Sequence, residues 1–137
     1  MSRRIFLDTS GWLAVLSRRE ARHREALDTY QALVTEGRSF VTTNLVVAEM
    51  HVLLVRHRGS EAGIRLLDAL RHDPTHDVLY VTPEIEQRAI DRWLRPYGEH
   101  WFSLTDAVSF ETMRAERMNE ALALDHHFRI AGFATLP

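Results

Sequence analysis

Arg4-Ile5-Phe6-Leu7-Asp8-Thr9-Ser10 is a short apolar run that stops at an acid and two hydroxyls. A run this short, with helix-forming sequence directly behind it, predicts a buried strand followed by a helix. Open α/β folds bind ligands beyond the carboxyl ends of their strands, so Asp8 falls where chemistry is expected. Three later acids, Glu49, Asp106 and Asp125, lie in apolar or element-edge surroundings and are expected to converge on it.

Outward from that strand, Gly11 to Ser17 reads as a short apolar helix with Ser10 as its N-cap. Arg22 to Glu36 carries Ala26, Leu27, Tyr30, Leu33 and Val34 at the spacing of one buried helical face, closed by Gly37. Ser39 to Thr43 predicts a strand, and Asn44 is expected to cap a helix ending at Gly59. Another helix runs from Ser60 through Leu70. Asp77 to Thr82 predicts a strand, and Pro83 fits the first position of the next helix. That helix places Ile85, Ala89, Ile90, Trp93 and Leu94 on one side and stops before Pro96. Ser103 opens a helix to about Met118, Ala121 to Leu124 is a strand ending at Asp125, and Phe133 to Leu136 adds an edge strand. Strands separated by helices, without tight hairpin signals, predict a largely parallel sheet with helices on both faces.

The chain has 137 residues, 45% of them hydrophobic, which is one domain by size with enough apolar matter for a core. It contains no cysteine, which removes disulfides and thiolate chemistry and suits a reducing cytoplasm. Arg3-Arg4 followed by apolar residues imitates a signal peptide, but Asp8 interrupts the run, and no stretch reaches membrane-spanning length. All 17 basic residues are arginines, so functions that need a lysine, among them P-loop and Schiff-base chemistry, are excluded. Net charge is only −2, yet Arg18, Arg19, Arg22 and Arg24 cluster, as do Arg56 and Arg58. Such groups suit phosphate, or form an ordinary solvated surface.

Glu49 has Leu45, Val46, Val52 and Leu53 at i−4, i−3, i+3 and i+4, which predicts an acid on a buried helix face. Buried carboxylates are paired or metal-bound, so the choice is a tertiary ion pair or a site. Asp8 and Asp125 both end apolar strands, and each also suits a turn or cap. Ser103 to Asp106 fits a capping box, a structural role that leaves Asp106 free to face a cleft from the first turn of its helix. Four carboxylates ~5 Å apart at an effective dielectric near ~20 repel by about 3 kcal/mol per pair, approaching ~20 kcal/mol in all. That exceeds a domain's stability of roughly 5–15 kcal/mol. The cluster must bind divalent cations, keep protons or stay partly separated. Oxygen donors select Mg²⁺ or Mn²⁺, ions that polarise phosphodiesters and activate water. His126 and His127 follow Asp125 but are not expected to be ligands, and no histidine pair shows a zinc-site spacing. Trp12, Tyr97, Trp101 and Phe102 are expected in the core or at an interface.

As a set, Leu7-Asp8-Thr9-Ser10, Asn44 to Glu49, Ser103 to Ala107 and Leu124 to Phe128 resemble the motifs of the PIN domain, and more closely the VapC-type ribonuclease toxins of toxin–antitoxin pairs. The resemblance spans essentially the whole chain. It implies a three-layer α/β/α sandwich with a mainly parallel sheet, and a Mg²⁺- or Mn²⁺-dependent endoribonuclease whose acids are Asp8, Glu49, Asp106 and Asp125. It further implies Thr9, Ser10 and Thr105 as supporting polar residues, a homodimer, and an antitoxin that inhibits by inserting a peptide into the acidic site. One departure is Ala123, where many relatives carry a hydroxyl two residues before the last acid. Two rivals remain: a catalytically inactive PIN-like module that binds RNA or protein, and a haloacid-dehalogenase-type phosphohydrolase. The second needs an aspartate where this chain has Ser10.

Overall fold

The computed structural model describes residues 3–137; Met1 and Ser2 lie outside the described residues. Five parallel strands form one sheet in the order β3-β2-β1-β4-β5. They are β1 (Arg4–Leu7), β2 (Ser39–Thr43), β3 (His76–Leu79), β4 (Glu120–Leu122) and β5 (Ala134–Leu136). Between them run α1 (Thr9–Leu16), α2 (His23–Thr35), α3 (Asn44–Arg58), α4 (Ser60–His72), α5 (Pro83–Ala89), α6 (Leu104–Ala115) and the short α7 (His127–Ile130).

Strand period two sorts the apolar residues into two cores, one on each face of the sheet. Ile5 and Leu7 join Phe40 and Leu122 beneath Trp12 and Val15 of α1, Leu33 of α2 and Met50 of α3. Phe6, Val41 and Ala121 point the other way, against Trp93, Phe110 and Met113. The result is the three-layer α/β/α sandwich that the resemblance implies. The central strand β1 is buried on both faces, and for that reason it is a continuous apolar run with no alternation.

The chain builds outward from β1 to β2 and β3, then crosses back to place β4 and β5 on the other side. The reversal lies between β1 and β4, so the crevice beyond their carboxyl ends is the topological switch point. Asp8 follows β1 there, and residues 123–127 follow β4. Gly11 holds the two sides together: a Cβ at this position would lie 2.0 Å from the Leu122 carbonyl oxygen, so only glycine lets α1 come this close to β4.

Several element ends differ from the sequence expectation. Asp8, not Ser10, is the N-cap of α1, its carboxylate accepting from the Ser10 amide. Thr43, not Asn44, caps α3, through a bond from the Val46 amide to its hydroxyl. The Asn44 side chain instead accepts from the Val81 amide at 2.9 Å, and β3 ends at Leu79, opposite Thr43, the last residue of β2. β4 stops at Leu122 because the Leu124 amide donates to the Ser10 hydroxyl and no longer to a strand. α5 continues through a π-helical turn at Ile90–Leu94, in which the Arg95 amide reaches the Ile90 carbonyl. Trp12 and Phe102 are buried and Tyr97 packs against the core, but Trp101 is 87% exposed and lies outside it. Among the described residues no helix is long and apolar enough to cross a membrane.

Candidate active site

Asp8 is the most enclosed of the four acids, at 5% exposure. Its Oδ2 accepts from the Ser10 hydroxyl at 2.6 Å and the Ser10 amide at 3.2 Å. Burial pushes its pKa from 3.8 to about 6, opposed by those bonds and reinforced by the nearby charge of Asp106. No cation is among the influences on it.

The Ser10 hydroxyl has a second task. It accepts from the amides of Leu124 at 3.0 Å and Asp125 at 3.3 Å, so one side chain joins the end of β1 to the segment after β4. Asp125 then turns its Oδ1 back to accept from the His127 amide at 2.9 Å. The His127 imidazole bridges the remaining distance, with Nδ1 lying 3.1 Å from Asp106 Oδ2 and 3.4 Å from Asp125 Oδ1. Asp106 Oδ2 also accepts from the Ser103 amide in a complete capping box. Capping and site-facing roles therefore coexist in one carboxylate, at a helix N-terminus that favours its charge. From the α3 side, Glu49 Oε1 accepts from the Thr9 hydroxyl at 2.7 Å.

A continuous series of contacts thus runs from Glu49 through Thr9, Asp8, Ser10, Asp125 and His127 to Asp106. Thr105 is half-buried beside Asp106, and among the described residues its hydroxyl has no hydrogen bond. One expectation needs correction. Glu49 is exposed, not buried, because the α3 face it shares with Ala48 and Val52 lines a cleft and is not packed. His127 neighbours the acids through this series, and polar atoms of Asp125, His126 and His127 lie within 4.8 Å of one another.

The most deeply buried acid among the described residues is Glu111 of α6, at 1% exposure, which sequence reasoning missed. It accepts from Arg92 Nε at 3.0 Å, Trp93 Nε1 at 3.2 Å and Arg88 Nε at 3.3 Å. Its neighbours Ala107, Val108 and Ala115 carry the same apolar-face signal that singled out Glu49. The arginines around Glu111 make it a fully paired structural ion cluster. At the candidate site the opposite holds: among the described residues no arginine pairs with Asp8, Glu49, Asp106 or Asp125, and the donors are mainly carboxylate oxygens. An enclosed carboxylate with a raised pKa and no arginine beside it fits a hard divalent cation.

The PIN domain model matches residues 5–134. The 23S rRNA-specific endonuclease VapC20 of Mycobacterium tuberculosis is 34% identical over 129 residues, covering 94% of this chain and 95% of the relative. The crystal structure of that protein, described as a sarcin–ricin-loop-cleaving toxin, superposes with a TM-score of 0.84 at 33% identity, over 95% of this chain and 96% of the other. FitAcB from Neisseria gonorrhoeae (TM-score 0.70, 16% identity, 97% and 96% covered) and a toxin–antitoxin complex from Klebsiella pneumoniae (0.67, 18%, 97% and 96%) share the fold. With its acids gathered at the switch point and this likeness over nearly its whole length, the chain belongs to the PIN-domain family, in the company of the VapC toxins.

Proposed function

We propose that this protein is a metal-dependent endoribonuclease and the toxin of a toxin–antitoxin pair. The observation that carries the proposal is the hydrogen-bonded series of acids at the carboxyl edge of the sheet, centred on an Asp8 whose charge no arginine neutralises. Asp8, Glu49, Asp106 and Asp125 would hold Mg²⁺ or Mn²⁺. Such an ion, when bound, supplies Lewis acidity toward a phosphodiester and an attacking water.

The chain's own residues do the positioning. Ser10 fixes Oδ2 of Asp8 and aligns the backbone of 124 and 125, which delivers Asp125 without the hydroxyl that Ala123 lacks. Thr9 orients Glu49 from across the cleft. His127 holds Asp106 and Asp125 in fixed relation. Thr105 adds an unengaged hydroxyl beside Asp106. Hydrolysis would leave a 3′-hydroxyl and a 5′-phosphate. The likeness to VapC20 supports RNA as substrate, with the sarcin–ricin loop as the first target to try. An antitoxin that blocks the acidic site and a homodimer are part of the proposal.

The test is cleavage of a synthetic sarcin–ricin hairpin with Mn²⁺, with EDTA, and by Asp8→Asn. Cleavage by wild type with Mn²⁺ alone, lost in a folded Asp8→Asn, is the expected result. A wild type inert on several RNAs with metal present would leave a binding module as the function.

A further inference from the structure

A cleft of about 710 Å³ opens between the α1–α2 connection and the second half of α3. It lies next to the acidic site, since Leu53 lines both this cleft and the smaller one that contains Thr9 and Glu49. Its apolar lining includes Leu27 and the buried Leu54, while Arg18, Arg19 and Arg58 line it with cationic groups and Glu20 is its one acid. The arginines differ from their neighbours. Arg22 and Arg24 spend their charge on Glu25 and Asp28, whereas among the described residues no carboxylate lies within ion-pair distance of Arg18, Arg19 or Arg58. Arg58 donates to the Leu16 carbonyl at 2.8 Å, which ties α3 to the end of α1 and fixes one side of the cleft.

We propose that this cleft is a nucleotide subsite, where RNA flanking the scissile phosphate places an unstacked base against the leucines and its phosphates against Arg18, Arg19 and Arg58. The inference rests on the ribonuclease reading and adds where the substrate is gripped. Apolar walls with a few charged groups, in a volume between about 300 and 1,000 Å³, suit a ligand of nucleotide size. Sequence-selective RNA recognition works largely on bases splayed out of the stack. Guanidinium groups suit phosphate bidentately. Along α3, Glu49 and Arg58 are ~13 Å apart at ~1.5 Å per residue, so one strand can reach both. An acidic cleft repels RNA until it is neutralised, and unpaired arginines on one flank give the strand a direction of approach.

The experiment uses the full chain and a fluorescent sarcin–ricin hairpin. Affinity is read as a function of salt in an Asp8→Asn background, with and without the pair Arg18→Gln and Arg19→Gln, and KM and kcat are read with Mn²⁺ in the otherwise wild-type protein. Both side chains are exposed, and an unchanged melting temperature verifies folding. The expected result is about tenfold weaker binding, a salt slope lower by about 1.4 for two lost single-strand phosphate contacts, and a raised KM with kcat kept. Abasic replacement at one loop position should weaken binding severalfold. The equal charge change Arg65→Gln with Arg71→Gln, on α4, should leave affinity and slope as they were. If wild type cleaves the hairpin but the arginine pair changes neither KM nor slope, or the α4 pair changes them equally, or no abasic position matters, the subsite is wrong and the nuclease stands. If wild type neither binds nor cleaves RNA, both fall.

Discussion

Replacing Asp8 with asparagine should stabilise the metal-free protein at neutral pH while abolishing cleavage. Burial raises the Asp8 pKa from 3.8 to about 6, so the folded state holds a proton that the unfolded chain has released between those values. Stability contributed by this group is complete below pH ~4 and is lost as pH rises through ~6. A difference of about 2.2 units at ~1.36 kcal/mol each is about 3 kcal/mol of strain from an ionised Asp8 at pH 7.5. Asparagine removes the charge but weakens the bond from the Ser10 hydroxyl by ~1 kcal/mol, leaving a net gain of about 2 kcal/mol. For a chain of this length that is a rise in melting temperature of roughly 6–10 °C. The assay is thermal denaturation in EDTA at pH 4 and at pH 7.5. Wild type should lose about 3 kcal/mol across that interval relative to Asp8→Asn, passing from the more stable of the two by about 1 kcal/mol at the acid end to the less stable at pH 7.5. An asparagine variant less stable than wild type at pH 7.5, or parallel pH profiles, would refute the picture of an enclosed, uncompensated carboxylate.

Mn²⁺ at about 100 times its Kd should stabilise wild type by ~2.7 kcal/mol; Glu49→Gln should show a smaller rise in melting temperature, and equal rises would place the ion elsewhere. Glu111→Ala should cost about 2–3 kcal/mol, because it leaves the buried Trp93 Nε1 without an acceptor while Arg88, Arg92 and Arg114 turn to solvent, yet cleavage per folded molecule should persist, as calibrated denaturant melts and activity assays can read together. Gly11→Ala forces α1 away from the Leu122 carbonyl; it should destabilise by about 1–3 kcal/mol and lower activity as Ser10 leaves residues 124 and 125, both measurable on one preparation.

The central strand was legible because burial on both faces writes a continuous apolar run into Ile5-Phe6-Leu7, and the acid after it marked the ligand edge. Strand ends were less legible, since they are decided by side chains from elsewhere. Asn44 holds the Val81 amide just past β3 and Ser10 removes that of Leu124, and neither bond has a local signal. Glu49 was singled out for a burial that it does not have. Apolar neighbours such as Val52, at 43% exposure, can line a cleft as readily as a core. Glu111 has apolar residues at i−4, i−3 and i+4 and Arg114 at i+3, a local ion pair at 3.9 Å, while its closer partners Arg88 and Arg92 lie beyond any i±4 reading. The role of His127 depended on its ring reaching Asp106, a contact across 21 positions that spacing alone does not reveal.

The Ser10 hydroxyl clasps an acid two residues before it and two amides from positions 124 and 125. A nascent chain on the ribosome therefore carries the first half of its blade long before the second half exists. Truncated translation products that lack the last strands have no partner for that clasp, so the two halves of the crevice cannot be joined until the polypeptide is almost complete.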